Sequence, residues 1–357
     1  MIDTLFTIAL LLVILSVLVV IHELGHFVAA RIFGVAVEEF GLGFPPRAAI
    51  LKKGKQTTYT LNWLPFGGFV KLKGEQGESR DADSFSAQAI WKKIVILAAG
   101  VCMNLVFTVF VFTVGFTFGV PQSVEGVSDI SSLRDFRVQI INVRPDSPAQ
   151  EAGLQSGDSI KSISGQSFTK ISDIQQYLGS REGIPLSVEI QRVDTPPLFI
   201  DIAPRKLSEN GPVGFGVGLV AMATVSYPVH IAFWESVKTT GVLAKTIFLT
   251  LGNAFQKREF DGFVGPVGIA KHAAEAAKLG ISYLLNLMAL ISVSLAIFNV
   301  LPIPALDGGR ILFAIIEKIR GRTIKPEVEN SIHLVGFVLL LVLLLVVTVR
   351  DVGNIIR

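Results

Sequence analysis

A polytopic α-helical membrane protein with four transmembrane helices, a membrane-associated β-hairpin and one inserted β-rich domain is the fold that the sequence predicts. Three observations carry that expectation. Half of the 357 residues are hydrophobic and only 17% are charged, where soluble proteins carry about a quarter. Four apolar runs approach or exceed the roughly 18–20 residues that cross a bilayer. Between the second and third of these runs the composition changes to short β-type segments, turns and mixed charge.

The first run covers residues 5–21 and continues through Phe27-Val-Ala-Ala30 after one polar interruption. Its Met-Ile-Asp start lacks the positive region of a cleaved signal and its apolar stretch is long for one, so the helix is expected to be retained. The second run covers about 94–120, and together these bracket a membrane region at 1–121. The polar loop at 31–93 holds ten basic residues against six acidic ones, which places it in the cytoplasm. Within it, Ala48-Ala-Ile-Leu51 and Thr57-Thr-Tyr-Thr-Leu-Asn-Trp63 flank the turn-like Lys53-Gly-Lys55 and predict a β-hairpin. Gly41-Leu-Gly-Phe44 and Phe66-Gly-Gly-Phe69 lie on either side, and their glycines let backbone approach another chain or the membrane closely.

Residues 122–205 form the inserted domain. Val138-Gln-Ile-Ile-Asn-Val143 and Leu186-Ser-Val-Glu-Ile-Gln-Arg192 alternate at period two. Between them, the stretch from Ser147-Pro-Ala to Ser164-Gly165 resembles the PDZ signature of a short helix, a tight Gly-Asp turn, a strand and a Ser-Gly turn. Residues 171–178 would be the helix beside the groove, and PDZ domains bind an extended peptide or C-terminus by adding it to a sheet edge. A linker at 206–280 follows. Its 234–255 stretch carries Glu235, Lys238 and Lys245, with Val237, Gly241, Ala244, Phe248, Leu251 and Phe255 at helical spacing. That pattern suits an interfacial amphipathic helix better than a spanning one. The C-terminal membrane region at 281–357 holds the last two runs, 281–301 and 332–349.

Composition excludes several classes. Net charge is only +3 and no basic run interleaves with aromatics, so no nucleic-acid partner is expected. Cys102 is the single cysteine, which rules out an intrachain disulfide and leaves a cysteine zinc site or a thiol nucleophile without support.

The chemistry concentrates in Ile21-His-Glu-Leu-Gly-His-Phe27, an H-E-x-x-H motif at the end of a membrane run. His22 and His26 are four apart, so on a helix they share a face and can clamp one metal ion, with Glu23 beside it to exchange protons with bound water. Two imidazoles and a carboxylate are costly at that depth, which favours a functional site. A catalytic zinc takes three protein ligands and keeps one open position. Asp307, in Asn299-Val-Leu-Pro-Ile-Pro-Ala-Leu-Asp-Gly-Gly309, is the candidate third ligand: Pro302 and Pro304 break the third apolar run, and the Gly-Gly pair would allow a tight turn. Parity gives independent support. With four spans and an external start, Asp307 reaches the same side as His22 and His26; were 234–255 also a span, it would not. His230, His272 and His333 lack partners at ligand spacing and read as interfacial or packing residues.

His22-Glu-Leu-Gly-His26, Gly100-Val-Cys-Met-Asn104, Gly265-Pro-Val-Gly-Ile269 and Asn299-x-x-Pro-x-Pro-x-x-Asp-Gly-Gly309 occur in this order along the chain. Together they resemble the site-2 protease family, in its bacterial PDZ-containing branch of the regulator of sigma-E protease type. The resemblance implies one zinc ion per chain held by His22, His26 and Asp307, with Glu23 as general base. It implies substrate contacts at Asn299, Pro302, Pro304 and Gly308, and a structural role for Asn104. It further implies a multi-pass protein of the bacterial inner membrane, with the lipid bilayer as a partner, the PDZ domain extracytoplasmic and the active site toward the cytoplasm. The hairpin matches a membrane-associated element that pairs with an unwound substrate helix. Substrates would be single-span membrane proteins, such as anti-sigma factors or signal-peptide remnants. Well-known relatives carry two tandem PDZ domains; one signature occurs here. A zinc-binding scaffold that recruits partners through its PDZ domain is the rival reading, and the presence of Glu23 beside all three ligands weighs against it. A transporter is disfavoured by the absence of an inverted repeat.

Overall fold

The computed structural model describes residues 2–75, 77, 79, 81–123, 133–168, 170–192, 195–207, 211–257 and 264–356. Residues 124–132 of the expected inserted domain and the side chain of Phe255 lie outside that description. The chain opens with α1 (Ile2–Ile32), β1 (Val37–Lys53), β2 (Thr58–Leu72) and α2 (Ile90–Phe118). There follow β3 (Val120–Ser123), β4 (Leu133–Val143), α3 (Pro148–Glu151), β5 (Ser159–Ile163), α4 (Ile171–Gly179), β6 (Leu186–Gln191) and β7 (Leu198–Ile202). Two short strands, β8 (Arg205–Lys206) and β9 (Val213–Gly214), precede β10 (Val217–Val225). The chain ends in α5 (Val229–Lys257), α6 (Pro266–Leu279), α7 (Ile281–Val300), α8 (Asp307–Arg320) and α9 (Pro326–Ile356). It divides into two compact units, one of Met1–Thr113, Phe233–Ala277 and Leu284–Arg357, the other of Val114–Ala232 and Lys278–Tyr283.

Among the described residues, four helices are long and apolar enough to cross a membrane: Leu5–Ile32, Ile90–Phe118, Ile281–Val300 and Glu327–Gly353. These are the four expected spans. On α9, Leu339, Leu345 and Val349 are each 64% exposed, an arrangement suited to an apolar solvent. As expected, α5 is a helix outside that set of four. Ser236, Thr240, Leu251 and Ala254 are buried, whereas Val237 and Phe248 of the expected apolar face point outward. The small side chains of Ser236, Thr240 and Ala254 permit close packing.

The hairpin is longer than its sequence pattern and folds back on itself. Gly41 of β1 pairs with Phe69 on one side and Thr60 on the other, and Leu42 likewise pairs with Gly68 and Leu61. The outer part of β1 then pairs with the far flank of β2, as Ala49 with Leu61 and Ile50 with Thr60. Glu39 ties these layers together by accepting from Arg47 at 2.6 Å and Thr60 at 2.7 Å. The glycines do serve a close approach, but within the chain. A Cβ on Gly68 would sit 2.9 Å from the Gly41 carbonyl oxygen and 3.2 Å from Val20 of α1. Thus β2 lies directly along α1.

In the second unit the sheet order is β3-β10-β4-β5-β6-β7. Leu186, Val188 and Ile190 alternate into a core with Val138, Ile140, Ile160 and Phe215, which Ile174 and Leu178 of α4 cover. Ser147 caps α3, and Ser164 and Gly165 make the left-handed turn after β5. Asp158, 1% exposed, receives Arg192 through Nε at 2.7 Å and Nη2 at 2.9 Å. All the expected PDZ elements are present, yet the domain does not end at residue 205. β10 runs between β3 and β4, so the start of the expected linker supplies an interior strand. Its Val-Gly-Leu-Val-Ala-Met-Ala-Thr-Val run is half-buried along most of its length, which removes the alternation by which strands are recognised.

Back in the first unit, the Gly265-Pro-Val-Gly-Ile269 motif is the start of α6. Pro266 opens the helix, and the Gly268 N–H donates to Asp351 of α9 at 2.9 Å. A Cβ on Gly265 would meet Val347 at 2.7 Å and Asp351 at 2.8 Å, so glycine here makes room for a cap supplied by the last helix. Asp351→Ala should therefore lower stability by about 1–2 kcal/mol, the usual worth of an N-cap. A reduced midpoint of thermal unfolding in detergent checks this, with Asp351→Asn recovering most of the loss.

Candidate metal centre

Helix α1 presents His22, Glu23 and His26 on adjoining faces, and α2 crosses it at unusually short range. A Cβ on Gly25 would fall 2.3 Å from the Ala99 carbonyl oxygen, and one on Gly100 would fall 2.5 Å from His26 Nε2 and 2.7 Å from His22 Cε1. The two glycines let the helix backbones touch and leave space above Gly100 for both imidazoles. His26 Nδ1 donates to the Ile96 carbonyl of α2 at 2.9 Å, which turns Nε2 toward the open side.

Asp307 comes from the other end of the chain. α7 stops at Val300, an irregular loop of residues 301–306 follows, and Asp307 is the first residue of α8. The expected tight turn at Gly308-Gly309 is not formed: both glycines lie in the first turn of α8. Their lack of a side chain serves packing instead, since a Cβ on Gly308 would meet the Val300 and Leu301 carbonyls and one on Gly309 the Ile303 carbonyl. The left-handed residue is Ala305, at φ 78.

The three groups converge. His22 Nε2 lies 2.9 Å and His26 Nε2 3.3 Å from Asp307 Oδ2, and the two Nε2 atoms are 3.1 Å apart. Among the described residues these are the only His, Cys, Asp or Glu groups clustered closely enough to hold a metal ion. With Nδ1 protonated, His26 aims a lone pair at its neighbours, an arrangement that a cation between them satisfies. Bonds of about 2.0–2.1 Å in a tetrahedral zinc site put ligand atoms roughly 3.3 Å apart, so the spacing fits zinc. One orphaned atom supports the same fit. Asn104 is fully buried, its Nδ2 lies 3.4 Å from His22 Nδ1, and its Oδ1 has no partner. Turning the amide over places Oδ1 as acceptor for a His22 Nδ1–H, leaving His22 Nε2 free for metal.

Glu23 accepts from the Val70 N–H of β2 at 3.0 Å, which occupies one carboxylate oxygen and leaves the other available. A cavity of about 210 Å³ is lined by Val19, His22, Glu23, Asn104, Leu295, Asn299, Ala305, Leu306 and Asp307. Asn299 therefore faces the same space as His22 and Asp307. Pro302, Pro304 and Gly308 are not in this lining; Pro304 packs against Gly336 of α9. Sequence reasoning assigned no site role to Gly25, Gly100, Ile96 or Val70, and gave Asn104 only a structural one. Gly100 and Asn104 carried a signal, being a small and a polar residue four apart in an otherwise apolar span.

Comparison with known proteins agrees with this chemistry. The family model described as peptidase family M50 matches residues 10–343. A Clostridium perfringens protein carrying the name of a zinc metalloprotease is 36% identical over 342 residues, covering 94% of this chain and 96% of that protein. A similarly named protein of Campylobacter jejuni is 33% identical over 362 residues, covering 96% and 92%. Among solved structures, the PDZ domain of an SdrC-like protein from Listeria monocytogenes matches 23% of this chain and 85% of its own at 26% identity, with a TM-score of 0.22.

The Asn104 contact generates a measurable expectation. Loss of such an outer partner typically weakens a metal site by about 10–100-fold, so Asn104→Ala should raise the zinc dissociation constant by that factor in a chelator competition. An affinity within about twofold of wild type would remove Asn104 from the site.

Proposed function

The chain belongs to peptidase family M50, a membrane metalloprotease by family and by its four apolar helices, and on that premise we propose how it works. His22, His26 and Asp307 hold one zinc ion, Glu23 is the general base, and the substrate is a peptide bond within or near the transmembrane segment of a single-span membrane protein. The observation that carries this reading is the convergence of the three ligand atoms within 3.3 Å, at a cavity that His22 and Asp307 line together with Glu23.

Zinc, when bound, supplies a Lewis acid and a water acidic enough to act near neutral pH. The chain's own groups do the rest. Glu23, steadied by Val70, has one free oxygen to take a proton from the attacking water and pass it to the leaving amine. Asn299, on the cavity wall, orients the scissile carbonyl or its oxyanion. The hairpin holds an unwound substrate segment by strand addition. The bilayer is the inner membrane of a bacterium, the metal centre faces the cytoplasm and the PDZ domain lies outside, where its groove takes a peptide or C-terminus. The basic loop at 31–93 and the cluster Arg310, Lys318, Arg320, Arg322 and Lys325 support that orientation.

Glu23→Gln should keep zinc and reduce cleavage of a single-span substrate in detergent by at least about a hundredfold, because only the proton carrier is removed. Asp307→Ala should lose both zinc and activity, since two histidines alone bind zinc weakly. Stoichiometric zinc in the purified Asp307→Ala protein would exclude it as a ligand.

Orientation is tested separately with single cysteines in a Cys102→Ala background. Lys55→Cys and Lys318→Cys should react with an impermeant thiol reagent only from the cytoplasmic side, and Lys161→Cys only from outside. Cytoplasmic labelling of Lys257→Cys would mean that α5 spans, and the parity that brings Asp307 to the histidines would fail.

A further inference from the structure

We propose that His333 is a positioning residue for the metal centre, holding the loop at 301–306 in the conformation that aims Asp307 at His22 and His26. The direction of Asp307 depends on how the chain leaves α7 and enters α8. That path contains Ala305 at φ 78, a left-handed conformation that a residue with a Cβ does not favour. Something must hold it there. The Ala305 N–H donates to His333 Nδ1 of α9 at 2.8 Å. An amide can only donate, so Nδ1 is the unprotonated nitrogen and His333 serves as an acceptor built into the last helix.

His333 is itself fixed. Its ring packs against Phe313 of α8 with centroids 5.3 Å apart. One turn further along α9, Gly336 brings the helix onto the neighbouring loop residue: a Cβ there would lie 2.5 Å from Pro304 Cβ and 2.6 Å from its carbonyl oxygen. Positions 333 and 336 share a helix face, and through it α9 grips two consecutive residues, Pro304 and Ala305. Neither is a candidate ligand. The grip acts on Asp307 two residues later, through the backbone.

This inference rests on Asp307 being a metal ligand, and the test separates the two ideas. Asn and Leu have nearly the same size, and Asn Oδ1 reaches the place of His Nδ1. In the full-length protein in detergent, His333→Leu should raise the zinc dissociation constant by at least about tenfold and change the visible spectrum of the cobalt-loaded protein, while His333→Asn stays within about threefold of wild type. Adding Ala305→Gly to His333→Leu should recover most of the lost affinity, because glycine adopts positive φ unaided. Equal zinc affinity in the Asn and Leu variants would overturn the proposal. If His333→Leu does not accumulate, the Asn variant decides alone, and a tenfold loss there overturns it. In metal-free protein, amide exchange across 303–307 should quicken in the Leu variant only; equal exchange in both overturns the latch. Wild-type protein that takes up no zinc would instead overturn the ligand assignment.

Discussion

Everything in the first unit serves one constraint: two imidazoles and a carboxylate, separated by 285 positions in sequence, must meet within hydrogen-bonding range inside an apolar layer. Polar groups at that depth are tolerated only when each is satisfied. The solution is to bring backbones closer than side chains normally permit. Gly25 and Gly100 let α1 and α2 touch, and that contact places the Ile96 carbonyl and the Asn104 amide behind the two imidazoles. On the opposite side, Gly308 and Gly309 seat the first turn of α8 on the carbonyls that end α7. The histidines are aimed by a helix crossing and the aspartate by a broken helix.

The hairpin belongs to the same arrangement. Ser16, Val20 and Glu23 lie along one side of α1, and β2 meets each in turn. The Ser16 hydroxyl donates to the Pro65 carbonyl and accepts from the Gly67 N–H, Gly68 packs on Val20, and Val70 donates to Glu23. A strand laid on a helix in this way is registered by three contacts over two turns. The position of the Glu23 carboxylate and the position of the hairpin are one structural variable, so neither shifts without the other.

The large features were legible because each has a strong local period. Apolar runs of bilayer length, the alternation of 186–192 and the His-Glu-x-x-His spacing all follow from geometry repeated within one element. The features that escaped depend on what an element packs against. β10 lost its alternation because most of it is half-buried. On α5 the residues that pack inward include Ser236 and Thr240, whose polar side chains give no apolar period to read. His333 looked isolated because its partner is a backbone amide, which leaves no trace in side-chain spacing. The Gly-Gly pair was recognised as meaningful but read as a turn; its role is steric, and sequence does not distinguish those uses of glycine.

The last helix has a bearing on how the protein is made. Asp351 caps α6 and Gly336 backs the Pro304 loop, and both residues follow every candidate catalytic residue in the chain. Chains emerge from the ribosome N-terminus first. His22, Glu23, His26 and Asp307 are therefore all translated before the segment that clamps the loop between α7 and α8. Throughout elongation the nascent chain holds every reactive group without the clamp that sets their geometry. A hydrolase made in this order carries its catalytic groups before the helix that backs their loop, so the site takes its final shape only once α9 has been inserted.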